Sequence, residues 1–244
     1  MTLTTIQRHI ILISGLLATQ IATAGVTMDR TRIIFDGDQR SVTLDIGNNN
    51  PELPYLAQGW IENEEGKKIN GPLVVLPPVQ RLEANKSSQI KIEALPSISS
   101  LPQDRESLFY FNLREIPPKS NKPNVLQVAL QTRVKLFYRP KAVIPLEKAE
   151  PAIYKLTLDK ASAQAVVKNP TPYYTTIINV YSSSLKNDTN FEPVMVPPFG
   201  QSNLGVSSAK LGSDPTLITI NDYGGRPEIK FSCQGAVCQA NPKK

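Results

Sequence analysis

The 244-residue chain carries 27 Lys and Arg against 21 Asp and Glu, a net charge of +6 scattered along its length. No basic stripe or nucleic-acid motif gathers that excess, which argues against nucleic acid as a partner. The single histidine and two cysteines leave little material for metal or nucleophile chemistry.

The first 24 residues read as a signal peptide. Arg8 and His9 precede an apolar run from Ile10 to Ala18, and Ala22-Thr23-Ala24 supplies the small residues of a cleavage site before Gly25. The run is too short to span a bilayer, and no later segment is apolar for long enough, so no membrane insertion is expected. An exported chain of about 220 residues suits two domains of about 100 residues each.

The mature chain is predicted all-β. Short runs of period two, rich in β-branched and aromatic residues, are punctuated by Pro, Gly and Asn. In chain order these are Val42, Leu44 and Ile46; Ile90 and Ile92; Phe109, Phe111 and Leu113; Tyr154, Leu156 and Leu158; Tyr174, Thr176, Ile178 and Val180; Leu217 to Ile220; and Ile229 to Phe231. The 21 prolines fall mostly between runs. Such spacing means antiparallel sandwiches or barrels. A strand-like stretch ends at Phe137-Tyr138-Arg139-Pro140, and alternation resumes only at Tyr154. Domain one is therefore expected at 25–140 and domain two at 146–244.

Cys233 and Cys238 flank Gly235, and in an exported protein they read as a disulfide clipping a hairpin. A metal site would need further ligands. His9 leaves with the signal peptide, which removes every histidine-dependent catalytic scheme. Glu62, Glu64 and Glu65, followed by Gly66-Lys67-Lys68, read as a solvated hairpin tip rather than a carboxylate site. No phosphate loop or dinucleotide fingerprint is present. The expectation is a binding protein, not an enzyme, with no cofactor and no metal.

Leu101-Pro102-Gln103-Asp104-Arg105-Glu106-Ser107-Leu108-Phe109-Tyr110-Phe111-Asn112-Leu113-Arg114-Glu115-Ile116-Pro117 resembles the signature segment of periplasmic pilus-assembly chaperones of the PapD type. Asp29 to Arg32, Leu53 to Gln58, Pro77 to Glu83, Lys135 to Pro140, Asn169 to Tyr174 and Asn221 to Pro227 extend the likeness over nearly the whole mature chain. Lys141 to Val166 departs most. The resemblance implies two immunoglobulin-like β-sandwiches with a cleft between them, in the periplasm. The implied partners are pilin subunits, an adhesin and an outer-membrane usher.

In this family the chaperone lends a strand to a subunit that lacks its last one, a form of strand addition. By position that strand is Val125 to Tyr138, with Leu126, Val128 and Leu130 as its apolar face. On pattern alone, residues alternating in this way usually face their own core. The resemblance further implies that Arg32 and Lys135 anchor the subunit's terminal carboxylate, and that Glu106, Arg139 and Asp222 form an interdomain ion network. As surface pairs those ions would contribute about 0–1 kcal/mol. Lys135 lies an odd number of residues beyond Leu126, so an undistorted strand points the two to opposite faces. Left uncovered, an apolar edge is expected to drive self-association of the free protein. The nearest rival reading, a secreted pilin or adhesin, fits two domains poorly.

Overall fold

The computed structural model describes residues 25–121, 123–145, 151–185 and 191–242; the signal-peptide segment lies outside the described residues. Ten strands build the first domain: β1 Val26–Met28, β2 Arg32–Asp36, β3 Ser41–Asn48, β4 Tyr55–Asn63, β5 Lys68–Ile69, β6 Leu73–Leu76, β7 Val79–Leu82, β8 Ser87–Ala94, β9 Ser107–Ile116 and β10 Gln131–Arg139. One sheet runs β1-β3-β8-β6; the other runs β2-β10-β9-β4-β5, with β7 also on β4. The chain therefore changes sheets at Asp29–Thr31. β2 then lies parallel on β10, with Arg32 opposite Lys135, while the other described pairings are antiparallel.

Period-two alternation fills the core between these sheets. Ile33 and Phe35 of β2, Leu44 and Ile46 of β3, Ile90 and Ile92 of β8, Phe111 of β9 and Leu136 of β10 are all buried. Each such side chain contributes about 1.5–3 kcal/mol. Val134, Leu136 and Tyr138 of β10 face this core, so Lys135, Phe137 and Arg139 face the other way, toward the second domain.

The second domain comprises β11 Thr157–Asp159, β12 Gln164–Lys168, β13 Thr175–Tyr181, β14 Val194–Val196, β15 Gln201–Ser207, β16 Thr216–Ile220, β17 Glu228–Gln234 and β18 Val237–Ala240. Strand β17 pairs β16 with its first half and β18 with its second, so one strand joins the two layers. Its core is separate, built on Leu156, Leu158, Val167, Ile177, Val180, Leu217, Ile229 and Phe231. Cys233 and Cys238 stand directly opposite each other on β17 and β18 and form the disulfide.

Three details differ from the pattern read in the sequence. Tyr154 belongs to a 3-10 turn, Ala152–Lys155, rather than to a strand. A register shift between Ile177 and Asn179 resets the phase of β13, so Val180 is buried as the alternation has it but Ile177 is buried in place of Ile178. Glu62 does not share the solvated tip with Glu64 and Glu65. It is largely buried on β4, accepting hydrogen bonds from Trp60 Nε1 at 3.0 Å and Arg133 Nε at 2.9 Å.

Candidate functional site

Where the two domains meet, Arg139 at the end of β10 bridges them. Its Nε donates to Glu106 Oε1 at 2.9 Å and its Nη1 to Asp222 Oδ2 at 2.8 Å. The other oxygen of Glu106 accepts the Tyr174 N–H at 2.7 Å, and the Glu106 N–H donates to Pro172 O at 2.9 Å. Residues 169–174 hold that shape because Asn169 staples them. Its Nδ2 donates to Tyr173 O and Pro197 O, and its Oδ1 accepts from the Thr171 amide and hydroxyl. The Phe137 and Tyr174 rings pack at 5.6 Å beside the ion pair.

This geometry brings Glu106, Arg139 and Asp222 together, but corrects the expectation that they form a surface network. Glu106 and Arg139 side chains are only 2% and 8% exposed; Asp222 alone is solvated. Burial pushes the pKa of Glu106 up, opposed by Arg139 and the Tyr174 amide. Burial also works against the charged form of Arg139, but hydrogen bonds and charge from Asp222 and Glu106 outweigh it and hold its pKa above the ordinary guanidinium value. A buried pair of this kind is costly to break from one side.

Four residues before Arg139 on β10, Lys135 sits beside Arg32 on the paired strand β2. Arg32 Nη1 donates to Ile220 O at 3.1 Å, and Lys135 Nζ to Thr176 Oγ1 at 3.3 Å, so both reach toward the second domain. Arg32 Nε is buried without a hydrogen-bond partner. Burial lowers the pKa of both groups; Asp222 and Glu106 oppose this at Arg32, while the charge of Arg32 adds to it at Lys135. Among the described residues neither cation forms an ion pair. Half-buried cations without a carboxylate carry an uncompensated desolvation cost, which a charge-assisted hydrogen bond can offset.

Above them the edge of β10 is open. β2 covers only Lys135–Arg139, so residues 131–134 have a ladder partner on the β9 side alone. Residues 125–130 are in no strand, a departure from the expected strand starting at Val125. The reason lies in β9. Its Glu115 N–H donates to Leu130 O at 3.0 Å, and after Ile116 come Pro117 and Pro118, which have no N–H to continue the ladder. Instead the Gln127 side chain ties the segment to Pro118 O at 2.6 Å. Leu126, Val128 and Leu130 are 88%, 62% and 49% exposed, which rules out the reading that they fill their own core. The β9–β10 register runs without a bulge from 131 to 138, so the opposite facing of Lys135 and the core-side residues stands.

Sequence reasoning missed two neighbours of this site. Thr176 as the partner of Lys135 carries no local signal. The glycine-rich stretch Tyr223 to Pro227 reads in the sequence as a turn between two strands, as it is, but the Asx turn that Asn221 sets there goes unread. Asn221 Oδ1 accepts the Tyr223 and Gly225 amides at 3.1 and 2.7 Å, and Gly224 takes a φ of +81°.

Two immunoglobulin-like sandwiches, hinged by a buried ion pair and presenting an open edge that ends at two cations, define a two-domain assembly chaperone. Residues 25–144 match the family "Pili and flagellar-assembly chaperone, PapD N-terminal domain", and residues 151–231 match "Pili assembly chaperone PapD, C-terminal domain". The chain is 52% identical to the chaperone protein PapD of Escherichia coli over 91% of this chain and 92% of that one. It is 48% identical to the probable fimbrial chaperone YfcS of Escherichia coli K12, over 91% and 88%. Among solved structures it resembles the periplasmic chaperone SfaE, with TM-score 0.68, 36% identity and coverage of 84% and 98%. The Salmonella enterica SafB chaperone, solved with the SafA pilin, gives TM-score 0.72, 28% identity and coverage of 86% and 97%. The chain belongs to the PapD family of pili-assembly chaperones.

Proposed function

We propose that this chaperone captures pilin subunits, the tip adhesin among them, in the periplasm and passes them to an outer-membrane usher. It does so by lending residues 125–134 as a strand. The observation that carries this reading is the open edge with Leu126, Val128 and Leu130 exposed along it. Each of those side chains contributes about 1.5–3 kcal/mol when a groove covers it. SafB, a structural relative solved with a pilin, supports the same partner class.

The direction of the captured strand follows from β2. Because β2 occupies the edge from Lys135 onward, an incoming strand has only the stretch before it. For its terminal carboxylate to meet Arg32 and Lys135 it must end there, so it runs parallel to β10. The cations then hold its last residue while backbone groups of 131–134 pair with the residues before it. Glu106, Arg139 and Asp222 keep the two domains at the angle that leaves both cations facing the cleft.

The test is co-expression of the exported chain with a pilin subunit. A one-to-one complex should co-purify, and the Arg32→Ala/Lys135→Ala double variant, still folded, should lose it. Charge-assisted hydrogen bonds contribute about 1.5–3 kcal/mol each, so either single change should weaken capture about ten- to a hundred-fold. Full recovery of pilin by the double variant would remove the anchor from the mechanism.

A further inference from the structure

The second domain sends one side chain to the mouth of the cleft without giving it any structural work there. Tyr223 is 97% exposed, more than any other large hydrophobic residue described. Yet the backbone beneath it is fixed on every side. Asp222 is ion-paired to Arg139, Asn221 cradles the Tyr223 and Gly225 amides, and the Gly224 N–H closes the turn on Asn221 O at 3.0 Å. The turn also abuts the first domain. A Cβ at Gly224 would lie 2.9 Å from Thr31 Oγ1, and the φ of +81° is the left-handed region, so only glycine lets the turn sit this close. The position of Tyr223 relative to Arg32 is thus set across the domain boundary.

Between this turn and β2 lies a hollow of about 520 Å³ lined by Arg30, Thr31, Arg32, Ile34, Arg139 and Tyr223 together with the carboxylates of Asp29, Asp36 and Asp222. That is the size range of small-ligand clefts, about 300–1,000 Å³. Arg32 is part of this lining, and its Nε is buried without a hydrogen-bond partner. A chain that ends with its carboxylate on Arg32 must put its final side chain somewhere close, and this hollow adjoins. Its lining sets the Tyr223 ring and the aliphatic Ile34 beside three guanidinium groups and the carboxylates of Asp29, Asp36 and Asp222, and the ring and guanidinium groups suit an aromatic ring by stacking and cation–π attraction. A pre-positioned, exposed tyrosine is the kind of residue that becomes a binding hot spot.

We propose that the hollow between β2 and the 221–225 turn is a specificity subsite, with Tyr223 its positioning residue, for an aromatic residue at the carboxyl end of the bound strand. The inference rests on the anchor reading above and deepens it. Its test uses synthetic peptides of alternating apolar residues with a free carboxylate, ending in Phe, Leu or Gly, titrated against the whole mature chain. The Phe-ended peptide should bind about tenfold more tightly than the Gly-ended one and better than the Leu-ended one. Tyr223→Ala should erase that preference while leaving the Gly-ended peptide bound as before, and Tyr223→Phe should keep it. Equal binding of the Phe- and Gly-ended peptides, a Leu preference, or an unchanged preference in Tyr223→Ala would each overturn the subsite. Arg32→Ala and amidation of the peptide's carboxyl end should weaken all three peptides alike. If they do not, it is the anchor that fails, and the subsite with it.

Discussion

Replacing Arg139 by alanine tests the hinge most directly. The Glu106 carboxylate, 2% exposed, would lose its cation and keep one donor, the Tyr174 N–H at 2.7 Å. Removing one partner of a buried pair costs about 3–5 kcal/mol, because the other charge stays behind. Asp222 is 44% exposed and returns to water, so it adds only about 0–1 kcal/mol. The Glu106→Gln/Arg139→Met double variant leaves no orphaned charge and should fall much closer to the parent. The deficit of the single variant should also depend on pH. Burial already raises the pKa of Glu106, and without Arg139 it rises further above its unfolded value. The folded state then binds the extra proton as pH falls through that raised pKa, so the deficit shrinks on acidification and is full at neutral pH. Urea melts at neutral and mildly acid pH would measure it, with Trp60, the only tryptophan, reporting on the first domain and circular dichroism on both. Equal losses in the single and double variants, or a single-variant deficit indifferent to pH, would refute the reasoning.

Three other outcomes are expected. Val128→Asp and Leu130→Asp change residues 62% and 49% exposed, so each should melt within about 0.5 kcal/mol of the parent yet fail to recover pilin; an early melt would contradict the free edge. Burial and Arg32 lower the Lys135 pKa from its ordinary value of 10.5, so it loses its proton earlier than a free lysine. A bound carboxylate favours the proton, so binding of a carboxylate-ended peptide should weaken as pH rises through that lowered pKa, and Lys135→Arg should flatten the decline over the same range. Replacing Cys233 and Cys238 by alanine opens a loop of sequence separation 5 and should cost about 2 kcal/mol by urea melt, without loss of peptide binding.

The all-β class, the two sandwiches and the hairpin disulfide were legible because each rests on local signals: alternation, proline punctuation and cysteine spacing. The phase of β13 was not, since the register shift at Ile177–Asn179 depends on how it pairs with β16. Glu62 looked solvated because its neighbours Glu64 and Glu65 are, while the strand that brings Arg133 over it lies 71 residues away. The free edge was only half legible. Alternation at Leu126, Val128 and Leu130 marks an apolar face, but whether a strand has a partner is decided by β2, about a hundred residues earlier in the chain. Burial of the Glu106–Arg139 pair likewise follows from the second domain closing over it. Tyr223 was legible only as part of a turn, because its exposure is a property of the assembled fold.

The parallel pairing of β2 has one more consequence. Because β2 begins at Arg32 and no earlier, it marks the zero of a ruler laid along β10. A guest strand butted against that mark has every residue assigned by its distance from its own carboxyl end, at about 3.3 Å per residue. Were residues 126–130 drawn into strand by the guest, Leu126 would stand about 30 Å from the mark, so a guest would need roughly nine residues of strand to reach it. Adding two residues between Leu130 and Lys135 would keep the apolar face in phase but lengthen the measure. Adding one would turn Leu126, Val128 and Leu130 to the opposite side of the guest. If guests are captured as proposed, the length and phase of their final strand should select among them as well as their side chains.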